Sequence, residues 1–178
     1  DIAIFTAIFI PEPGLVEFVR TIAKSFPERK ILLQVKISYQ TSSVAKKFIK
    51  ACTHDLENVH HVTDSVYDLL PKARYSFSDP SSVIAEAIQM GVCSFALDIS
   101  PIQKTTIYRD YTDICVSTAE DAVKKIRRLE NGEWDYPFDS LKNLIDLSGR
   151  TSIEAVCANL GLKDPNDNAE GVNQNANF

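Results

Sequence analysis

Short apolar runs alternating with stretches of helical spacing constrain this chain more than any other feature. Ala3 to Phe9 is nearly all apolar, as expected of a strand covered on both faces in a parallel sheet. Pro11-Glu12-Pro13-Gly14 then forms a turn, and Leu15, Phe18, Val19 and Ile22 recur at helical spacing up to Pro27. The alternation continues with strands at Lys30 to Val35, Asn58 to Thr63, Ala73 to Phe77 and Val92 to Leu97. Between them lie helices at Ser42 to Cys52, Ser65 to Leu70 (short, stopped by Pro71) and Ser81 to Met90. A looser polar stretch after Asp98 leads to a sixth strand, Ile114 to Val116, and to a helix capped by Ser117 or Thr118 that ends at Asn131-Gly132. Further helical regions are expected at Ser140 to Leu147 and Thr151 to Leu160. Such alternation predicts crossover connections and an α/β fold: a single Rossmann-like, doubly wound parallel sheet of about six strands, with helices on both faces. This domain is expected over residues 1–162, followed by a polar tail, 163–178, rich in Asn, Asp and Gly and expected to be disordered.

With 178 residues the chain can bury a core of its own as one domain. Its 19 basic and 24 acidic residues leave a net charge of −5. A chain so charged has no global attraction for nucleic acid, so any phosphate must be bound locally. Cys52, Cys93, Cys115 and Cys157 form no CxxC pair, which favours free thiols in a reducing compartment. No apolar run is long enough to span a bilayer, and the longest, Ile2 to Pro11, lacks the basic flank of a signal peptide. The expected setting is the cytoplasm, with the inner face of the membrane as an alternative. The chain starts at Asp1 rather than Met, as a processed product or a piece of a longer protein would.

The chemistry concentrates in Ser78-Asp79-Pro80-Ser81-Ser82-Val83-Ile84-Ala85-Glu86-Ala87. The segment turns from a strand into a helix, placing Ser81 and Ser82 where a helix exposes unpaired N–H groups and the positive end of its dipole. Glu86 follows one turn later. In an open parallel sheet ligands bind at the carboxyl ends of the strands, near the point where strand order reverses. That edge would gather Lys36 as a cation, Thr63 through its loop backbone, and Glu86 and Asp98 as acceptors for ribose or sugar hydroxyls. The alternative is purely structural: Ser81-Ser82 as a plain helix cap, Glu86 and Lys36 as solvated surface residues.

Other chemistries lack their motifs. The first turn carries no GxGxxG, disfavouring a dinucleotide dehydrogenase, and GxxxxGK[ST] and GxSxG are absent. His60 and His61 are adjacent and would point to opposite faces of a strand, so no metal site is expected. Tyr108-Arg109-Asp110-Tyr111 reads as a surface loop with aromatic anchors, or as a flap with Arg109 as a phosphate clamp. Trp134, Tyr136 and Phe138 have no interleaved basic residues and read as core or docking groups rather than a base-stacking platform.

The run from Val66 to Ala87, with Gly91-Val92 after it, resembles the C-terminal, donor-binding half of GT-B glycosyltransferases of bacterial surface and capsular polysaccharide synthesis. It is most similar to the CDP-glycerol glycerophosphotransferase-like, Kdo-transferase-like and sialyltransferase-like types. In element order the resemblance covers about residues 1–130, and only residues 66–92 match it specifically. It implies that Ser81 and Ser82, with Ser78 and Asp79 beside them, hold donor phosphate, and that Glu86 meets ribose. It also implies a CMP-, CDP- or UDP-linked sugar as substrate, with no separate cofactor, and a second, acceptor-binding domain or partner subunit that carries the usual catalytic base. No catalytic residue is assigned on this chain. The Lys-x-His-Pro motif usual at the end of the second strand is replaced by Gln34-Val35-Lys36-Ile37, leaving Lys36 to neutralise phosphate. Two alternatives stand beside a transferase domain: a non-catalytic regulatory or assembly module of the same fold, and half of a sugar-nucleotide epimerase.

Overall fold

A computed structural model describes residues 1–7, 13–99, 108 and 110–143. Six parallel strands form one sheet: β1 (Ile2–Thr6), β2 (Ile31–Val35), β3 (Val59–His61), β4 (Tyr75–Ser78), β5 (Cys93–Leu97) and β6 (Cys115–Val116). Their order is β3-β2-β1-β4-β5-β6. The helices are α1 (Pro13–Ser25), α2 (Ser43–Thr53), the single turn α3 (Val66–Leu69), α4 (Ser82–Gln89) and α5 (Ala119–Glu130). This is the expected α/β Rossmann-like fold.

Both faces of the sheet are covered, which explains why the central strands read as unbroken apolar runs. β1 and β2 are buried along their whole lengths. On one face α1 lies between α2 and α5. There Phe18 of α1 meets Phe77 of β4 edge-on, with ring centroids 5.2 Å apart, and Phe77 stacks on Phe95 of β5 at 5.3 Å. Tyr136, beyond α5, closes that row edge-on against Phe95 at 5.6 Å. On the other face Ala3, Phe5 and Leu32 pack with Leu69, Leu70 and Ala87 from the α3 and α4 side.

Element ends depart from the predicted ones by a residue or two, for local reasons. Asn58 does not join β3. Its amide nitrogen lies 3.0 to 3.2 Å from the carbonyls of Ala23, Phe26 and Arg29, fastening the α1–β2 connection. Ala73 closes a 3-10 turn over Leu70–Lys72, so β4 begins at Tyr75 and runs on to Ser78. Gly91, at φ +76°, ends α4 in a left-handed conformation that suits glycine. The Ile8–Phe9 end of the first predicted strand lies outside the described residues, as do Arg109, residues 144–147 of the Ser140–Leu147 region, Thr151–Leu160 and the 163–178 tail. Of Ser140–Leu147, residues Ser140–Asn143 form a 3-10 turn.

Candidate functional site at the β4–α4 corner

The strand order reverses between β1 and β4. From β1 the chain winds outward through β2 to β3, then returns to pair β4 on the other side of β1. Connections leaving β1 and β4 therefore part at the carboxyl edge, where a crevice forms in such sheets. Asp79 sits at that parting. Its carboxylate accepts the Thr6 hydroxyl and the Ala7 N–H, both at 2.8 Å. Asp79 thus points an acceptor at β1; as an anion it offers no donor to a phosphate.

The corner continues through Pro80 into α4, whose N-cap is Ser81. α2, α3 and α5 are each closed by their N-cap side chain: Ser42, Ser65 and Thr118 accept from Ala45 N, Asp68 N and Asp121 N. Ser81 is the exception, and its hydroxyl makes no cap bond. It lies 3.0 Å from the hydroxyl of Ser78 instead. Ser78, buried at the end of β4, donates its one proton to the Asp79 carbonyl at 2.8 Å. Ser81 must then be the donor to Ser78, and its own proton is spent. The groups left to face an anion are the amides of the first turn and the exposed hydroxyl of Ser82.

Tyr108 holds this corner from the far side. It is fully buried and donates its hydroxyl to the Ser81 carbonyl at 2.7 Å. Burial foremost, and then the nearby Glu86 carboxylate, raise its phenol above the ordinary tyrosine value. Of the Tyr108-Arg109-Asp110-Tyr111 cluster, the anchor reading fits Tyr108.

The remaining expected groups are spread along the edge. Asp98, exposed, follows β5 immediately beside β4, and its N–H bonds the Val116 carbonyl at 2.8 Å. Lys36, exposed, follows β2, two strands from β4 and so about 10 Å away. Thr63 follows β3, three strands and about 14 Å away, so it cannot share one phosphate with Ser82. Glu86 is half-buried on α4 and accepts a hydrogen bond from the Tyr67 phenol, which raises that phenol's pKa. Gln34, which takes the lysine place of the missing Lys-x-His-Pro motif, is buried in β2 and donates to the Asp64 carbonyl.

Thr6 and Tyr67 are the participants that sequence reasoning did not single out. Thr6 carried a signal, being polar inside an apolar strand. Tyr67 carried none without knowledge of which turn its side chain meets. His60 and His61 occupy β3, the first exposed and the second half-buried. Among the described residues no three His, Cys, Asp or Glu side chains gather as a metal site requires.

No family model matches the chain. No curated protein matches it either. Solved structures do. One is UDP-GlcNAc 2-epimerase from Neisseria meningitidis bound to UDP-GlcNAc, with a TM-score of 0.56 and 16% identity over 78% of this chain. Another is S. aureus MnaA with UDP, with a TM-score of 0.55 and 8% identity over 78% of this chain. The chain spans 40% and 38% of the length of those two proteins. The likeness is one of fold: the α/β Rossmann-like architecture is shared with part of each of those proteins. The Neisseria meningitidis structure is of an epimerase, not of the polysaccharide transferases that residues 66–92 resemble.

Proposed function

We propose that this chain is the nucleotide-sugar-binding half of a GT-B-type enzyme, with the substrate's phosphate held at the start of α4. The observation that carries the reading is the uncapped first turn of that helix. Its N-cap hydroxyl is drawn back to Ser78, while exposed Ser82 stands at the carboxyl edge beside the reversal point. A phosphate there meets backbone donors, a hydroxyl and the positive end of the helix dipole. Lys36 supplies a cation farther along the edge, where a diphosphate or its sugar can reach it. Glu86 and Asp98 offer carboxylates to ribose or sugar hydroxyls, Glu86 by exchanging its bond to Tyr67.

In the first reading the enzyme is a glycosyltransferase of cell-surface polysaccharide synthesis. The bond between the sugar's anomeric carbon and the phosphate oxygen breaks, and its electron pair stays on that oxygen. The acceptor hydroxyl bonds to the carbon and gives its proton to a base outside this chain. Donors at the α4 N-terminus stabilise the charge that grows on the leaving phosphate. A second reading, half of a sugar-nucleotide epimerase, is favoured by the likeness to the two solved structures above. It needs the same phosphate seat and no acceptor.

Calorimetric titration of the chain with CMP, CDP and UDP tests the shared claim. Saturable binding that Ser81→Ala with Ser82→Ala weakens by about tenfold or more is expected. Absence of nucleotide binding by the parent chain would instead identify a non-catalytic module. Incubating the protein that contains this half with UDP-GlcNAc and no acceptor separates the readings, because only an epimerase converts the sugar.

A further inference from the structure

Basic residues are unevenly distributed in this molecule. The sequence as a whole carries −5, yet α2 holds Lys46, Lys47 and Lys50, all exposed, and no acidic residue. Neighbouring α1 adds exposed Lys24, and α5 adds exposed Lys124 and Arg127. The exposed acids of the same three helices are Glu17, Glu120 and Glu130, and Glu130 is held by Arg29. On the opposite side of the sheet α3 and α4 carry no basic residue at all.

Between α1 and α5 lies an open groove of about 710 Å³, which Thr21, Ser25, Val123, Lys124, Arg127 and Arg128 help to line, together with Glu120 and Glu133. Lys124, Lys125 and Arg128 also border a smaller hollow that reaches Trp134, with Asp113 and Asp121 lining it too. The half-exposed Trp134 ring lies 5.7 Å from Lys125 and 5.7 Å from Arg128. Basic side chains around a tryptophan suit the boundary between water and a bilayer, where the ring sits at headgroup depth and the cations meet phosphates.

We propose that the α2–α1–α5 layer is a docking surface for an anionic membrane, with phospholipid headgroups as its ligand. Three helices packed side by side on a sheet present a broad face suited to a plane. The net negative charge of the remaining surface opposes envelopment by a long polyanion, which disfavours a nucleic acid. Docking in this way leaves the carboxyl edge of the sheet, with Ser82, at the side of the contact. The inference is independent of what binds at α4.

The test uses the full chain and flotation with two kinds of vesicle, phosphatidylcholine alone and phosphatidylcholine mixed equally with phosphatidylglycerol. Trp134 is the only tryptophan, so its emission reports the contact directly. Binding to the mixed vesicles alone is expected, with a blue shift of Trp134 and release near 1 M salt, where the screening length falls to about 3 Å. The exposed pair Lys46→Ala with Lys50→Ala should weaken partition by about 25-fold, roughly fivefold per charge. Equal binding to both vesicles, an unshifted Trp134, an unchanged double variant, or displacement by glycerol phosphate in solution would each overturn the proposal.

Discussion

Thr6 and Asp79 face each other across the reversal point of the sheet, the threonine hydroxyl donating to the carboxylate at 2.8 Å. Through this pair, and through the Ala7 N–H on the same oxygen, the end of β1 is fastened to the turn that opens α4. Any ligand seated at α4 inherits the rigidity of that fastening.

Removing the carboxylate should therefore loosen the corner. Asp79→Ala leaves the Thr6 hydroxyl and the Ala7 N–H without their acceptor, at a cost of about 2 kcal/mol. Urea unfolding measures it, and Thr6→Val should cost less because the Ala7 bond survives.

Ser82→Pro separates the backbone contribution to ligand binding from that of the hydroxyl. Ser82 is the first residue of α4, where proline is accommodated, and Ser81 before it is extended at φ −156° and ψ 171°, as a residue preceding proline should be. The variant should keep its helix by circular dichroism yet lose both the hydroxyl and the N–H. Nucleotide affinity should fall further than in Ser82→Ala, which is expected to lose about tenfold.

His61 makes stability depend on pH. Burial lowers its pKa, and its Nε2 is buried without a partner in the structure. The unfolded chain then takes up the proton more readily than the folded one. Stability is full above the unfolded value, about 6.5, and is lost as the pH falls through the window between that value and the lower folded one. Urea midpoints measured across that window should drop, and His61→Gln should flatten the drop.

Thiol chemistry should be slow in the native state. Burial pushes Cys52 up to about 12 and Cys93 up to about 11, each offset in part by an arginine, and it also raises Cys115. A thiolate-selective reagent at pH 8 should leave these three unreacted until denaturant is added.

The fold was legible because covered strands must be apolar throughout and amphipathic helices must show their spacing. All six strands and five helices were expected where they occur, within a residue or two at most ends. The corner was legible as a strand-to-helix turn, but its internal bonding was not. That Ser81 turns back to Ser78, that Asp79 reaches for Thr6, and that Glu86 meets Tyr67 follow from side-chain direction across non-adjacent elements. Sequence spacing carries no record of that. Gln34 shows the same limit: the sequence records it only as the replacement of a usual lysine, whereas in the fold Gln34 is buried and anchors the loop after β3 through the Asp64 carbonyl. Net charge misled in another way, since −5 for the whole chain hides the lysine-rich side of α2.

The most direct test of the phosphate seat is the amide spectrum of the labelled chain during a UDP titration. The Ser82 and Val83 amide resonances should shift saturably, in step with calorimetric binding, and the Ser82→Pro variant should show neither shift nor heat. Saturable binding that leaves the Ser82 and Val83 amides unmoved, or that survives in Ser82→Pro, would contradict the account.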